Sequence, residues 1–173
     1  MQDGGKENDR VALMTSARKA IIAAISVALI AVTILGGIQL TGSESTKLPA
    51  VSAVAGQTPT ISKPEGTPPA ELVFEDVIVG SGKEVLPTST LTVHYVLMTW
   101  SDGKLIESSW SGEPATFPLA QVVQGWQQGL PGAKEGGRRL LVIPPDMGYG
   151  ASGAGPIKPN ETLIFAVDII GVS

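Results

Sequence analysis

Residues 1–19 are mostly polar, and the chain then runs from Ala20 to Leu40 without a charge, interrupted only by Ser26, Thr33, Gln39 and two glycines. As a helix rising about 1.5 Å per residue, that run spans a hydrocarbon core of roughly 30 Å and predicts a single transmembrane helix over 20–40. Arg18 and Lys19 abut its N-terminal end, whereas the first cation beyond it is Lys47. The positive-inside rule then leaves residues 1–19 as a cytoplasmic tail and the rest of the chain outside, in a single-pass protein of the cell membrane. The alternative is a secreted protein released by signal cleavage. Its one small-x-small site, Ala53-Val54-Ala55, lies well past the end of the apolar run. From residue 41 to 70 neither strand nor helix periodicity is visible and Ser, Thr, Pro, Gly and Ala dominate. This stretch is expected to be a flexible linker.

Beyond residue 70 the pattern changes to period two. Leu91, Val93, Tyr95 and Leu97 alternate with Thr92, His94, Val96 and Met98, and Leu163, Phe165, Val167 and Ile169 alternate with Ile164, Ala166 and Asp168. Such alternation predicts strands. Two further strands are expected over 72–79 and 138–143, the second entered through the turn dipeptide Gly136-Gly137. After Pro118, the spacing of Val122, Val123, Trp126 and Leu130 predicts one face of a short helix. Gly125 and Gly129 weaken that helix by about 1 kcal/mol each relative to alanine, so packing must hold it, with Trp126 as the anchor. The expected fold over 71–173 is α+β: a mostly antiparallel sheet with one short helix against it.

Composition narrows the chemistry. The 173 residues include no cysteine and a single histidine, His94, which excludes disulfides, thiolate chemistry and a histidine-rich metal site. No metal or other cofactor is expected. No serine elbow, phosphate-binding loop or dinucleotide fingerprint is present. From Glu71 onward acidic residues outnumber basic ones by eleven to six, which disfavours nucleic acid as a partner. All eight aromatic residues lie after position 73. Tyr149 stands between two glycines at the start of a long irregular segment before the last strand, and so long a loop in a compact domain marks a candidate functional region. That tyrosine is either a packed plug or a hydroxyl presented at a pocket mouth.

The ordered pieces Val93-His94-Tyr95, Asp102-Gly103-Lys104, Ser108-Ser109-Trp110, Pro114 to Leu119, Val122 to Trp126, Gly137-Arg138-Arg139, Ile143 to Asp146, Gly148-Tyr149-Gly150 and Lys158 to Phe165 resemble the FKBP-type peptidyl-prolyl cis-trans isomerase domain, particularly its bacterial forms. The resemblance covers 71–173. It implies a curved antiparallel sheet, an FKBP-like half-barrel, wrapped on the short helix with an apolar pocket between. It further implies Trp126 as the pocket floor, Tyr95, Val122, Val123, Ile157 and Phe165 as walls, Ile106 as a wall that has lost an aromatic plane, and Phe117 close behind. Tyr149 at the rim would hydrogen-bond the bound peptide through its hydroxyl, and the backbone N–H of Val123 would meet a substrate carbonyl. Glu107 stands where the family usually has an aspartate, and its hydrogen bond to the rim tyrosine is expected to be displaced. Implied ligands are proline-containing polypeptides and FK506-like macrolides. The implied activity is isomerisation of X-Pro bonds in extracytoplasmic proteins; the alternative is a non-catalytic chaperone or adaptor of the same fold, motivated by Ile106 and Glu107.

Overall fold

The computed structural model describes residues 47–173. The expected cytoplasmic tail and transmembrane helix, 1–19 and 20–40, lie outside the described residues; within them no helix is long and apolar enough to cross a membrane. Strands β1 (Val73–Ile78), β2 (Thr90–Thr99), β3 (Leu105–Ser108), β4 (Ala115–Pro118), β5 (Arg138–Ile143) and β6 (Leu163–Val172) form one antiparallel sheet in the order β1-β5-β6-β2-β3, with β4 also paired to β2. The open, antiparallel sheet bears one short helix, α1 (Gln124–Gly129). Periodicity located four of these strands. The other two, β3 and β4, have four residues each, too short for alternation to register.

The alternation sorts side chains to two faces. Leu91, Val93 and Leu97 from β2, Leu141 and Ile143 from β5, and Leu163, Phe165, Val167 and Ile169 from β6 pack with Trp126 and Leu130 into the main core. Helix α1 is shorter than its apolar spacing predicts. Val122 is extended (φ −96°, ψ 177°) and Val123 caps the helix without a side-chain hydrogen bond, so the two valines precede the helix instead of lying on its face. Its two weak points have a steric reason: a Cβ on Gly125 would run into the Ile143 side chain, and one on Gly129 would reach Leu141 Cδ2. The glycines let the helix backbone approach the sheet more closely than any side chain would allow.

The opposite face of the sheet is covered by residues expected to be linker. Leu48, Val51 and Ile61 pack on Trp100, Leu140, Val142 and Ile164. The segment pairs antiparallel at Val51 and Ile61, and the Trp100 indole N–H donates to the Gly66 carbonyl at 3.1 Å. Deeper in, Arg138 Nε and Nη2 donate to the two Asp168 oxygens at 2.7 and 2.8 Å, while Nη1 and Nη2 donate to the carbonyls of Ser52 and Gln57, each at 2.6 Å. Residues 47–70 are therefore an arm of the folded unit, not a free tether. Only 41–46 of the expected linker lies outside the described residues. Composition misread the arm because it is anchored by backbone carbonyls and three scattered aliphatic side chains, which leave no period.

Candidate functional site

Between the sheet and the segment leading into α1 lies a cavity of about 370 Å³, within the range of small-ligand pockets. Trp126 sits at its centre, 4% exposed, on the first turn of α1. Three rings stand nearly edge-on or tilted to it: Phe165 with centroids at 5.3 Å and 82°, Tyr95 at 5.7 Å and 83°, and Phe117 at 6.1 Å and 87°. Edge-to-face packing is the favourable aromatic geometry, so the cage holds its shape without a ligand. Neighbouring strands supply the rings. Tyr95 on β2 and Phe165 on β6 point inward by alternation, and β4 places Phe117 opposite Leu91. The indole N–H of Trp126 has no hydrogen-bond partner among the described residues.

The polar groups are few and sit at the edge. The Tyr95 hydroxyl donates to Glu107 Oε1 at 2.7 Å. Burial, and then this hydrogen bond, raise the Tyr95 hydroxyl well above the usual tyrosine range, so it stays a neutral donor. Tyr149, 39% exposed, reaches the cavity from the irregular segment before β6 and is held there by short 3-10 turns on either side. Gly153 in that segment has φ 64°, and a Cβ there would strike the Ile157 carbonyl, so the turn requires glycine. The carbonyl of Val123 accepts from the amides of Trp126 and Gln127, while no hydrogen bond from its own amide is made among the described residues. The Gln127 side chain braces the approach by donating to the Val122 carbonyl at 2.8 Å.

Tyr95, Glu107, Phe117, Val122, Val123, Trp126, Tyr149 and Phe165 all line this one cavity. Ile106 and Ile157 do not: the first packs partly buried against the core and the second is buried within it. The expected partner of Glu107 was the rim tyrosine, and it is instead Tyr95, directly across the cavity wall. Leu97 and Gln121 also line it and were missed. Leu97 shares the inward parity of Tyr95, which could have identified it; Gln121 lies in a 3-10 turn and gives no periodic signal. The site offers apolar surface, two tyrosine hydroxyls, a carboxylate and an unpaired amide, a set suited to binding and reshaping a peptide without breaking a bond.

Known proteins with this pattern are numerous. A sequence profile of FKBP-type peptidyl-prolyl cis-trans isomerase matches residues 82–170. A probable FK506-binding protein of Corynebacterium glutamicum is 44% identical over 115 residues, spanning 66% of this chain and 98% of that protein. An FK506-binding protein of Streptomyces anulatus is 43% identical over 121 residues, spanning 67% of this chain and 98% of the relative. Among solved structures, FkpA from Escherichia coli superposes with a TM-score of 0.56 at 39% identity, over 59% of this chain and 48% of FkpA.

Proposed function

The chain belongs to the FKBP-type peptidyl-prolyl cis-trans isomerase family, and from that premise we propose that the cavity over Trp126 is where an X-Pro bond is twisted. The observation that carries this reading is the ring cage itself: an indole flanked by three rings, with polar groups only at the mouth. Rotation about a peptide bond is slowed by a barrier of about 18–20 kcal/mol from C–N resonance, and for X-Pro both isomers are populated. The planar amide is more dipolar than the twisted one. Moving it from water into an aromatic cage raises the planar form relative to the twisted form. The Tyr149 hydroxyl and the Val123 amide supply hydrogen bonds fitted to the twisted peptide, and Glu107 orients the Tyr95 ring through its hydroxyl. Lowering the barrier by about 5 kcal/mol accelerates exchange roughly 10⁴-fold.

The test is isomer exchange in an Ala-Leu-Pro-Phe peptide, followed by NMR with the full chain. Catalysed exchange is expected. Peptide binding with uncatalysed exchange would make the domain a proline-binding module, the reading that Ile106 and Glu107 motivate. FK506-like macrolides fit the same cage as competitive inhibitors, so FK506 is expected to block exchange.

The charge-free run 20–40, flanked by Arg18 and Lys19, supports anchoring in the cell membrane with the catalytic domain outside, acting on proteins that fold there. Membrane fractionation with protease accessibility of intact cells tests it. A soluble mature chain starting beyond Leu40 would overturn the anchor in favour of secretion.

A further inference from the structure

We propose that Glu107 selects substrates by charge, favouring lysine or arginine beside the proline over glutamate or aspartate; the inference rests on the isomerase reading above. Glu107 is the only formally charged side chain among the cavity walls. Its carboxylate is held in place by the Tyr95 hydroxyl at 2.7 Å through Oε1, and among the described residues Oε2 has no hydrogen-bond partner. None of the ion pairs of the described residues includes it: Arg138 and Arg139 are committed to Asp168 and Asp76, and Lys158 to Asp102. The mouth of the cavity thus carries one oriented negative charge without a counter-ion.

A proline ring seated on Trp126 brings the residues flanking it past this mouth. A cation there supplies the missing counter-ion, whereas an acidic residue is brought against a like charge. Because Tyr95 already holds the carboxylate, the pair does not have to immobilise a free glutamate, which is the usual cost of an exposed ion pair. Exposure keeps the effect modest and dependent on salt. A hydrogen bond from substrate backbone to Oε2 would behave differently, since it would be indifferent to the flanking residue.

The experiment uses the full chain and two peptide series, Ala-X-Pro-Phe and Ala-Leu-Pro-X, with X as Lys, Leu or Glu, and measures kcat/KM by NMR exchange. At low ionic strength Lys is expected to exceed Glu by about fivefold in at least one series, with the ratio narrowing as salt is raised. In Glu107→Gln the side-chain oxygen still accepts from the Tyr95 hydroxyl but the charge is gone, so the Lys/Glu ratio is expected to collapse toward one whatever the change in overall rate. A ratio near one in both series, or one that Glu107→Gln leaves unchanged, would overturn charge selection. The Leu peptides separate the two readings. Catalysed exchange of Leu peptides without Lys/Glu discrimination sinks charge selection alone, whereas uncatalysed exchange of every peptide sinks the isomerase reading and this inference with it.

Discussion

The two faces of the sheet solve opposite problems with the same alternating strands. On the face toward α1, apolar rings are gathered but left incompletely covered, around a cavity of about 370 Å³. On the other face an arm closes over the strands, and the charged Arg138 is fully buried with its donors satisfied by Asp168 and two backbone carbonyls. The deepest charge in the domain is therefore structural, and the functional face is defined by unfinished burial. What the site spends is uncovered apolar surface and the unpartnered Trp126 N–H. That expenditure is possible because stability is secured elsewhere, by β5, β6 and the arm.

The contrast is broken most severely by Arg138→Ala. It leaves the Asp168 carboxylate buried without its partner and unpins the arm at Ser52 and Gln57, for an expected loss of about 3–5 kcal/mol. Urea denaturation measures the loss. The fraction still folded is expected to retain its kcat/KM, since Arg138 and its partners face away from the cavity. A loss of turnover in fully folded protein would mean that the two faces are not independent. Gly125→Ala comes next and strikes both at once. The added Cβ meets Ile143, and overpacking of about 1–3 kcal/mol outweighs the roughly 1 kcal/mol gained in helix propensity. Because Trp126 is the next residue, both the unfolding midpoint and kcat/KM are expected to fall together.

How much of this was legible beforehand follows from which signals have a period. Alternation put Tyr95 and Phe165 on one face of their strands, helical spacing singled out Trp126 as an anchor and the long loop marked Tyr149, but only the family resemblance gathered these residues with Glu107 into one pocket. What stayed hidden depends on contacts remote in sequence. Nothing near Ser52 or Gln57 announces that an arginine more than eighty residues later will take their carbonyls. Similarly, the identity of Glu107's partner depends on how β3 registers against β2, where an irregularity falls between Leu97 and Met98. Ile157 reads as a wall residue from its motif, yet its short turn with Ala154 sets the side chain into the core.

Tyr149→Phe isolates the functional side of the comparison. The hydroxyl is at an exposed rim and has no hydrogen-bond partner within the described residues, so stability is expected to stay within about 0.5 kcal/mol. Loss of one hydrogen bond to the twisted peptide, worth about 1 kcal/mol, lowers kcat/KM by roughly fivefold. Exchange kinetics and thermal unfolding of the same preparation check both halves. A variant with native kcat/KM would return Tyr149 to the role of a packed plug.

The smallest effect is expected at the exposed turn joining β2 to β3, whose residues neither line the cavity nor contact the buried arginine. There the Thr99 hydroxyl donates to Asp102 Oδ1 at 2.6 Å, the Lys104 amide donates to the same oxygen at 3.2 Å, and Lys158 approaches Oδ2 at 3.2 Å. These donors, Thr99 foremost and then Lys158, hold the Asp102 carboxyl down to about 2 from its usual 3.8. A carboxyl depressed in the folded state favours folding above its unfolded value, and that contribution is lost as pH falls through the folded one. The window is therefore about pH 4 down to about pH 2. Asp102 is exposed to solvent, so the loss is expected to be slight and weaker in high salt. Asp102→Asn keeps the size and an acceptor for Thr99 but cannot titrate, so the urea midpoint of the variant should fall less steeply across that window than that of the native chain. Parallel slopes would show that the Asp102 carboxylate contributes nothing to acid stability.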